Sequence, residues 1–167
     1  MANLLCGPKR PGHFHGVITV VKRLFDIMLP DSAYFGQKDY QQARIIEEMI
    51  KRFRLPVRMV ICPIIREKDG LAMSSRNVYL KPDERTLASA IFKSLQLGKR
   101  LIQKGVRDAK GVEKEISRFL RPFVDKIDYV KVVNAHSLCS QSRLKGKIVI
   151  AIACFIGKTR LIDNILI

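Results

Sequence analysis

Residues 33–61 run Ala33-Tyr34-Phe35-Gly36-Gln37-Lys38-Asp39-Tyr40, then QQARIIEEMIKRFRLP, then Val57-Arg58-Met59-Val60-Ile61. The opening Ala33-Tyr34-Phe35 reads as a short strand that stops at Gly36. Asp39 then precedes a helix, and Gln42 lies three residues on, close to a capping box. Ile45, Ile46, Met49, Ile50 and Phe53 recur at three and four, the spacing of one buried helical face. Pro56 stops that helix, and Val57–Ile61 is a second apolar strand. Strand, helix, strand within about thirty residues is a βαβ unit, whose two strands run parallel with a right-handed crossover.

Upstream, Phe14, Val17, Ile18, Val21, Leu24, Phe25 and Met28 repeat at three and four and predict a helix with one buried stripe, ended by Pro30-Asp31-Ser32. Downstream the pattern changes. Arg66–Asn77 is polar and reads as an exposed loop. Pro82, Asp83 and Glu84 then open a long helix to about Gln103, with proline first and acids in the first turn. A shorter helix is expected near Val112–Leu120. Strands are expected at Tyr129–Val133, at Ile148–Ile156 and in the closing LIDNILI. A boundary near residue 64 separates parallel-type α/β (1–64) from a small α+β unit (65–167). The first part has too few strands to cover its helices and reads as the tail end of a larger domain.

Composition limits the function. The chain has 167 residues, 47% apolar and 28% charged, which suits a folded globular protein rather than disorder. No apolar run reaches the ~18 residues of a membrane span, and MANLLCGPKR lacks the order of a secretory signal. The expected location is therefore cytoplasmic, with no membrane partner. The formal charge of +16 invites a nucleic-acid reading. That reading is disfavoured: no four Lys/Arg are consecutive, there is no Trp, and only 12 residues are aromatic. Cys6, Cys62, Cys139 and Cys154 are far apart, so a zinc site is not indicated, and Cys62 and Cys154 read as buried free thiols. The alternating His13 and His15 suit a metal only on a strand, with no third ligand nearby.

Three stretches carry candidate chemistry. Gly36-Gln37-Lys38-Asp39 lies where a strand ends and a helix begins, the usual ligand position in open parallel sheets. Gly36 allows close approach to the backbone, Lys38 brings a charge for a phosphate, and Asp39 either caps the helix or takes a ribose hydroxyl. Gln42, one turn beyond Lys38, either reaches the same place or is an exposed helix residue. A plain turn with an N-cap accounts for these residues as well. Met73-Ser74-Ser75-Arg76-Asn77 offers hydroxyls and a guanidinium for phosphate oxygens on a loop able to close, or is a surface turn. Arg10-Pro11-Gly12-His13 holds a carboxylate near a helix start, or is a stiff loop with a capping histidine.

In order, RPGHFHGV, FGQKDYQQ, LAMSSRN and TRLID resemble the pantothenate synthetase (pantoate–β-alanine ligase) family over nearly the whole chain. That family belongs to the nucleotidylyltransferase superfamily related to class I aminoacyl-tRNA synthetases, and AMSSRN is similar to its KMSKS-type phosphate loop. The resemblance implies an α/β fold: the end of a Rossmann-like parallel-sheet domain, then a small α+β C-terminal domain carrying the phosphate-binding loop. It implies ATP as substrate with Mg²⁺, pantoate and β-alanine as the other small-molecule substrates, and a ligation via pantoyl adenylate that releases pyrophosphate and AMP. The product belongs to the coenzyme A pathway.

Carried over by motif, Gly36, Gln37, Lys38, Asp39, Ile65, Met73, Ser74, Ser75 and Arg76 bind ATP. Lys38 and Arg76 do the charge-neutralising work of catalysis. Gln42, His13, Arg10 and Val17 form the pantoate site. No metal ligand is assigned, since Mg²⁺ is expected mainly on ATP and on a half of the family not seen here.

The sequence departs from the family in three ways. It lacks H-x-G-H, it has Gln37 where the family usually has Glu, and it is unusually basic. The expectation is that the isolated 167 residues make no pantothenate and that the family's homodimer contacts are largely missing. Two other readings stand beside this one: a stand-alone basic domain that binds nucleotide or nucleic acid, and a remnant with a structural role.

Overall fold

A computed structural model describes residues 1–167. The chain divides into two compact units, Met1–Pro63 and Ile64–Ile167.

In the first unit, helix α1 (His13–Met28) is followed by strand β1 (Ser32–Gly36), helix α2 (Tyr40–Arg52) and strand β2 (Arg58–Cys62). The helix α1 begins after Gly12, whose φ of 75° is the left-handed conformation that glycine tolerates. It ends on Leu29, whose N–H donates to the Phe25 carbonyl at 3.0 Å, with Pro30 blocking continuation. Strands β1 and β2 pair in parallel from Ser32 opposite Arg58 to Gly36 opposite Cys62, as the βαβ pattern requires. Phe25, Ile46 and Met49 are buried at the centre, ringed by Val17, Ile18, Val21, Phe35, Ile50 and Met59.

Three details differ from the sequence expectation. Leu24 and Met28 of α1 and Phe53 after α2 are exposed. A two-stranded sheet offers too little surface to cover the full apolar stripe of either helix. The expected capping box also fails to form: Asp39 precedes α2 with no side-chain cap, because Gln37–Asp39 forms a 3₁₀ turn that leads into the helix. Cys62 is only partly buried, at the outer end of a two-strand sheet.

Residues 1–10 fold back on α2 through Gln41, a buried polar side chain. Its Nε2 donates to the carbonyls of Met1 and Leu4, and its Oε1 accepts from the N–H and Sγ of Cys6. Each polar atom of this buried amide is therefore satisfied, as burial demands.

The second unit contains helices α3 (Pro82–Gln103) and α4 (Ala109–Leu120) and the strands β3 (Lys126–Asn134), β4 (Ile148–Ile156) and β5 (Thr159–Leu166). The strands form an antiparallel sheet in the order β3-β4-β5. Every residue of the central β4 except Phe155 is buried, which is why its sequence is a continuous apolar run. Glu84 accepts from the Lys81 N–H at 2.9 Å at the start of α3. Asp108 accepts from the N–H groups of Lys110 and Gly111 at the start of α4. Gly98 lets α3 approach its neighbours: a Cβ there would stand 2.5 Å from Ile116 and 2.7 Å from Ile150.

Arg66–Asn77 is not the plain loop its composition suggests. Arg66 pairs antiparallel with Ala72, the Glu67 N–H donates to Leu71, and the Gly70 N–H donates back to Glu67. This is a small hairpin with Gly70 at φ 93°, the positive-φ position of a three-residue turn. Leu71 and Ala72 are buried in the unit's core.

No helix in the structure is long and apolar enough to cross a membrane. All four cysteines are free thiols. Burial pushes the Cys154 thiol up to about 12, whereas Cys139 is exposed. Only the thiolate attacks a disulfide reagent. Cys139 is therefore expected to react with Ellman's reagent in the native protein, and Cys154 only after unfolding. Native labelling of Cys154 at the rate seen in denaturant would contradict the burial described.

Candidate functional site

The residues singled out by sequence fall in both units: Arg10 to Gln42 in the first and Ile65 to Arg76 in the second. Within the first unit, His13, Val17 and Gln42 line one open cleft of about 470 Å³, together with Gly16, Val20 and Val21. The helix α1 contributes His13 and Val17 from successive turns of one face, and α2 contributes Gln42 from its first turn.

Arg10 is exposed just ahead of α1, close enough for its charge to act on His13. Partial burial, then the Arg10 guanidinium, hold the His13 imidazole below its usual pKa, and the Asp39 carboxylate opposes them. His13 is thus neutral over a wider range of pH, able to donate or accept one hydrogen bond. The lowered value means that the unfolded chain takes up this proton more readily. Any contribution of His13 to stability is therefore present above its unfolded pKa, near 6.5, and falls as pH drops through the lower folded value. Replacing Arg10 with Ala is expected to raise the His13 midpoint in an NMR titration. A midpoint unmoved by that change would remove Arg10 from the site.

Placing His13 and His15 on a helix separates them, since positions two apart point to different faces. No three His, Cys, Asp or Glu side chains come together in the chain as metal ligands.

The Gly36–Asp39 segment ends β1 and turns into α2. Gly36 has φ −71° and ψ 132°, which any residue adopts, so its backbone does not require glycine. Nothing lies within 4 Å of the place a Cβ would occupy. The glycine instead leaves open space beside the backbone, as a ligand approaching there needs. Asp39 is exposed and makes no cap, which sets aside the capping role and leaves its carboxylate at the surface. Lys38 is half-buried next to it.

In the second unit the hairpin joins two of the expected nucleotide contacts, the Met73 N–H donating to the Ile65 carbonyl at 3.0 Å. Both side chains are exposed. Ser74 then starts a 3₁₀ turn over Ser75–Tyr79, its hydroxyl accepting from the Arg76 N–H at 3.2 Å. Arg76 is exposed and donates to the Arg160 carbonyl at 3.3 Å. Two hydroxyls and a guanidinium thus stand together on one turn whose backbone is held on both sides.

Sequence reasoning missed what holds it. Arg66 donates to both oxygens of Asp163, at 2.6 and 3.0 Å, and its guanidinium lies 4.0 Å over the Phe92 ring. Arg85 bridges Glu67 and Asp69, and Asn77 donates to Glu67 at 2.7 Å and to the Ala72 carbonyl. The available signal was Asp69-Gly70, a strong short-range hairpin dipeptide.

The sequence model of the family described as pantoate-beta-alanine ligase matches residues 1–166. The chain belongs to the pantoate–β-alanine ligase family. Its similarity is not confined to motifs. It is 48% identical over its whole length to the pantothenate synthetase of Caldicellulosiruptor bescii and 49% identical to that of Fervidobacterium nodosum, covering 60% of each. Among solved structures, the pantothenate synthetase of Thermus thermophilus superposes with a TM-score of 0.91 at 38% identity, over 98% of this chain and 59% of that one. The Francisella tularensis pantoate–β-alanine ligase, solved with β-γ ATP and β-alanine, gives a TM-score of 0.74 at 33% identity, over 99% of this chain and 54% of that one. The chain therefore spans about three fifths of the length of the family members it matches.

Proposed function

We propose that this chain supplies the greater part of a pantoate–β-alanine ligase, binding ATP through Gly36–Asp39, Ile65 and Met73–Arg76, and pantoate through Gln42, His13, Val17 and Arg10. The observation that carries the reading is the convergence of His13, Val17 and Gln42, two elements apart in the chain, on one cleft. The Francisella relative's complex with an ATP compound and β-alanine supports the same substrates here.

In the first step the pantoate carboxylate oxygen attacks the α-phosphorus of ATP, and the bond to the β-phosphate oxygen breaks, giving pantoyl adenylate and pyrophosphate. In the second, the amine of β-alanine attacks the acyl carbon, AMP leaves, and the amine loses a proton. The nucleophile in each step belongs to a substrate, so the protein's task is alignment and charge neutralisation. Lys38 and Arg76 oppose the charge that builds on the phosphates. Neutral His13 and Gln42 offer uncharged hydrogen bonds to pantoate. No residue of this chain is assigned as a Mg²⁺ ligand; the cation would be held mainly by the ATP phosphates and by the part of the family's site that lies outside these 167 residues. On this reading the 167 residues alone make no pantothenate and require the remainder of the family's site.

Gln42→Ala tests the pantoate assignment. One lost hydrogen bond of about 1–2 kcal/mol predicts a KM for pantoate raised roughly 10-fold in the complete gene product. The KM for ATP is expected to stay within twofold, and equal rises in both would reject the assignment.

A further inference from the structure

Met73, Ser75 and Arg76 are exposed and Ser74 is half-buried, yet the backbone of this segment is not left to find its own shape. The segment sits between two fixed points. On one side the Met73 N–H is bound to the Ile65 carbonyl of the hairpin. On the other, Asn77 closes the turn: its N–H donates to the Ser74 carbonyl at 3.0 Å, and its Nδ2 donates to the Ala72 carbonyl at 3.2 Å and to Glu67 at 2.7 Å. One amide therefore ties the residue before the segment to the residue after it.

Glu67 is itself fixed. Its second oxygen accepts from Arg85 of α3 at 2.6 Å, and the other arm of Arg85 grips Asp69 at the hairpin tip. Hydrogen bonds from Arg85, then from Asn77, hold the Glu67 carboxyl below its ordinary range, so it accepts from both throughout neutral pH.

The cost of Asn77 is visible too. Its Oδ1 is buried and has no hydrogen-bond partner. The amide cannot turn round to repair this, because Oδ1 would then face the Glu67 carboxylate and the Ala72 carbonyl, both acceptors. An unsatisfied buried acceptor is a net penalty.

We propose that Asn77, Glu67 and Arg85 are positioning residues that hold the Met73–Arg76 backbone in the conformation that presents its hydroxyls and guanidinium to the triphosphate. The inference rests on the ATP reading of that segment. None of the three is assigned a contact with substrate. Their contribution is to fix the turn before ATP arrives, so that less ordering is lost on binding.

The test uses the complete gene product and two variants of it, Asn77→Ala and Arg85→Met. Hydrogen exchange of the Met73, Arg76 and Asn77 amides without nucleotide is expected to speed up at least ~10-fold in both, an opening shift of about 1.4 kcal/mol. The amides of Ile150 and Ile152 in β4 report whether the unit remains folded and are expected to keep their protection. Arg85→Lys keeps the charge but loses the fork between Glu67 and Asp69, and should restore only part of the protection. Calorimetric titration then compares ATP with AMP, which lacks the phosphates this turn would hold. The variants are expected to weaken ATP at least ~10-fold with AMP within twofold. Unchanged exchange at 73–77 in both variants overturns the inference, as does an equal loss of ATP and AMP. A wild-type complete gene product whose exchange behaves as expected but which binds no ATP overturns instead the nucleotide reading beneath it.

Discussion

Lys38→Ala is expected to lower pantoate-dependent exchange of pyrophosphate into ATP by roughly 10²–10³-fold in the complete gene product, the usual loss when one group opposing transition-state charge is removed. Lys38 is half-buried at the end of β1, beside an exposed Asp39 and a glycine with open space at its side. On the proposed reading, a cation in the turn that follows β1 lies at the end of the parallel sheet where ligands of such sheets bind, next to a helix start. Little of its effect should appear as lost fold stability, because Lys38 belongs to neither the buried core nor the apolar cluster of its unit. Lys38→Arg keeps the charge but spreads it over a planar fork, so partial activity is expected from that variant. An exchange rate within twofold of wild type in Lys38→Ala would remove Lys38 from the mechanism.

The largest effect on stability is expected from Arg66→Met. Asp163 has a side chain only 1% exposed, and Arg66 meets both its oxygens while also donating to the carbonyls of Gly70 and Asn164. Removing the arginine takes from a buried carboxylate the guanidinium that meets both its oxygens, a loss on the order of 3–5 kcal/mol. For a unit of this size the melting temperature should fall on the order of 10–20 °C. The double change Arg66→Met with Asp163→Leu should recover much of that, since it removes the stranded charge rather than one partner. A single variant destabilised by less than about 1 kcal/mol would show that the pair is not the anchor described. The hairpin carries Ile65 and Met73, so the same variant is also expected to loosen the segment that follows.

These two residues mark the boundary of what the sequence discloses. The elements were legible wherever one physical signal dominated. A continuous apolar run marked β4 at Ile148–Ile156, proline and two acids marked the start of α3 at Pro82, and apolar spacing marked α1 and α2. The stripe failed at Leu24, Met28 and Phe53 because periodicity shows which face is apolar and not whether anything covers it. The hairpin at 65–73 escaped because it is held by Arg66, Glu67, Asp69 and Arg85, whose partners are up to 98 residues away in the chain. Charged side chains in a polar stretch look solvated until those partners are placed.

The candidate site was legible in a different way. Taken one at a time, Gly36–Asp39, Met73–Arg76 and Arg10–His13 each had an ordinary turn or cap as an explanation, at Gly36–Asp39 the better one. Their order along the chain pointed to the family. In the structure Asp39 makes no cap with its side chain, the Gly36 backbone does not require glycine, and His13, Val17 and Gln42 line one cleft. Of the 31 basic side chains, Lys38, Arg76 and Arg10 are assigned to the proposed site and Arg66 and Arg85 to the hairpin beside it, and the rest of the +16 charge has no part in this account.

The central claim is that an acyl adenylate forms from pantoate before β-alanine takes part. Isotope exchange between pyrophosphate and ATP, measured on the complete gene product with each acid supplied separately, tests it most directly. The account predicts exchange with pantoate alone, and none with β-alanine alone or with neither. Exchange that needs β-alanine, or that is absent while pantothenate is still formed, would contradict it.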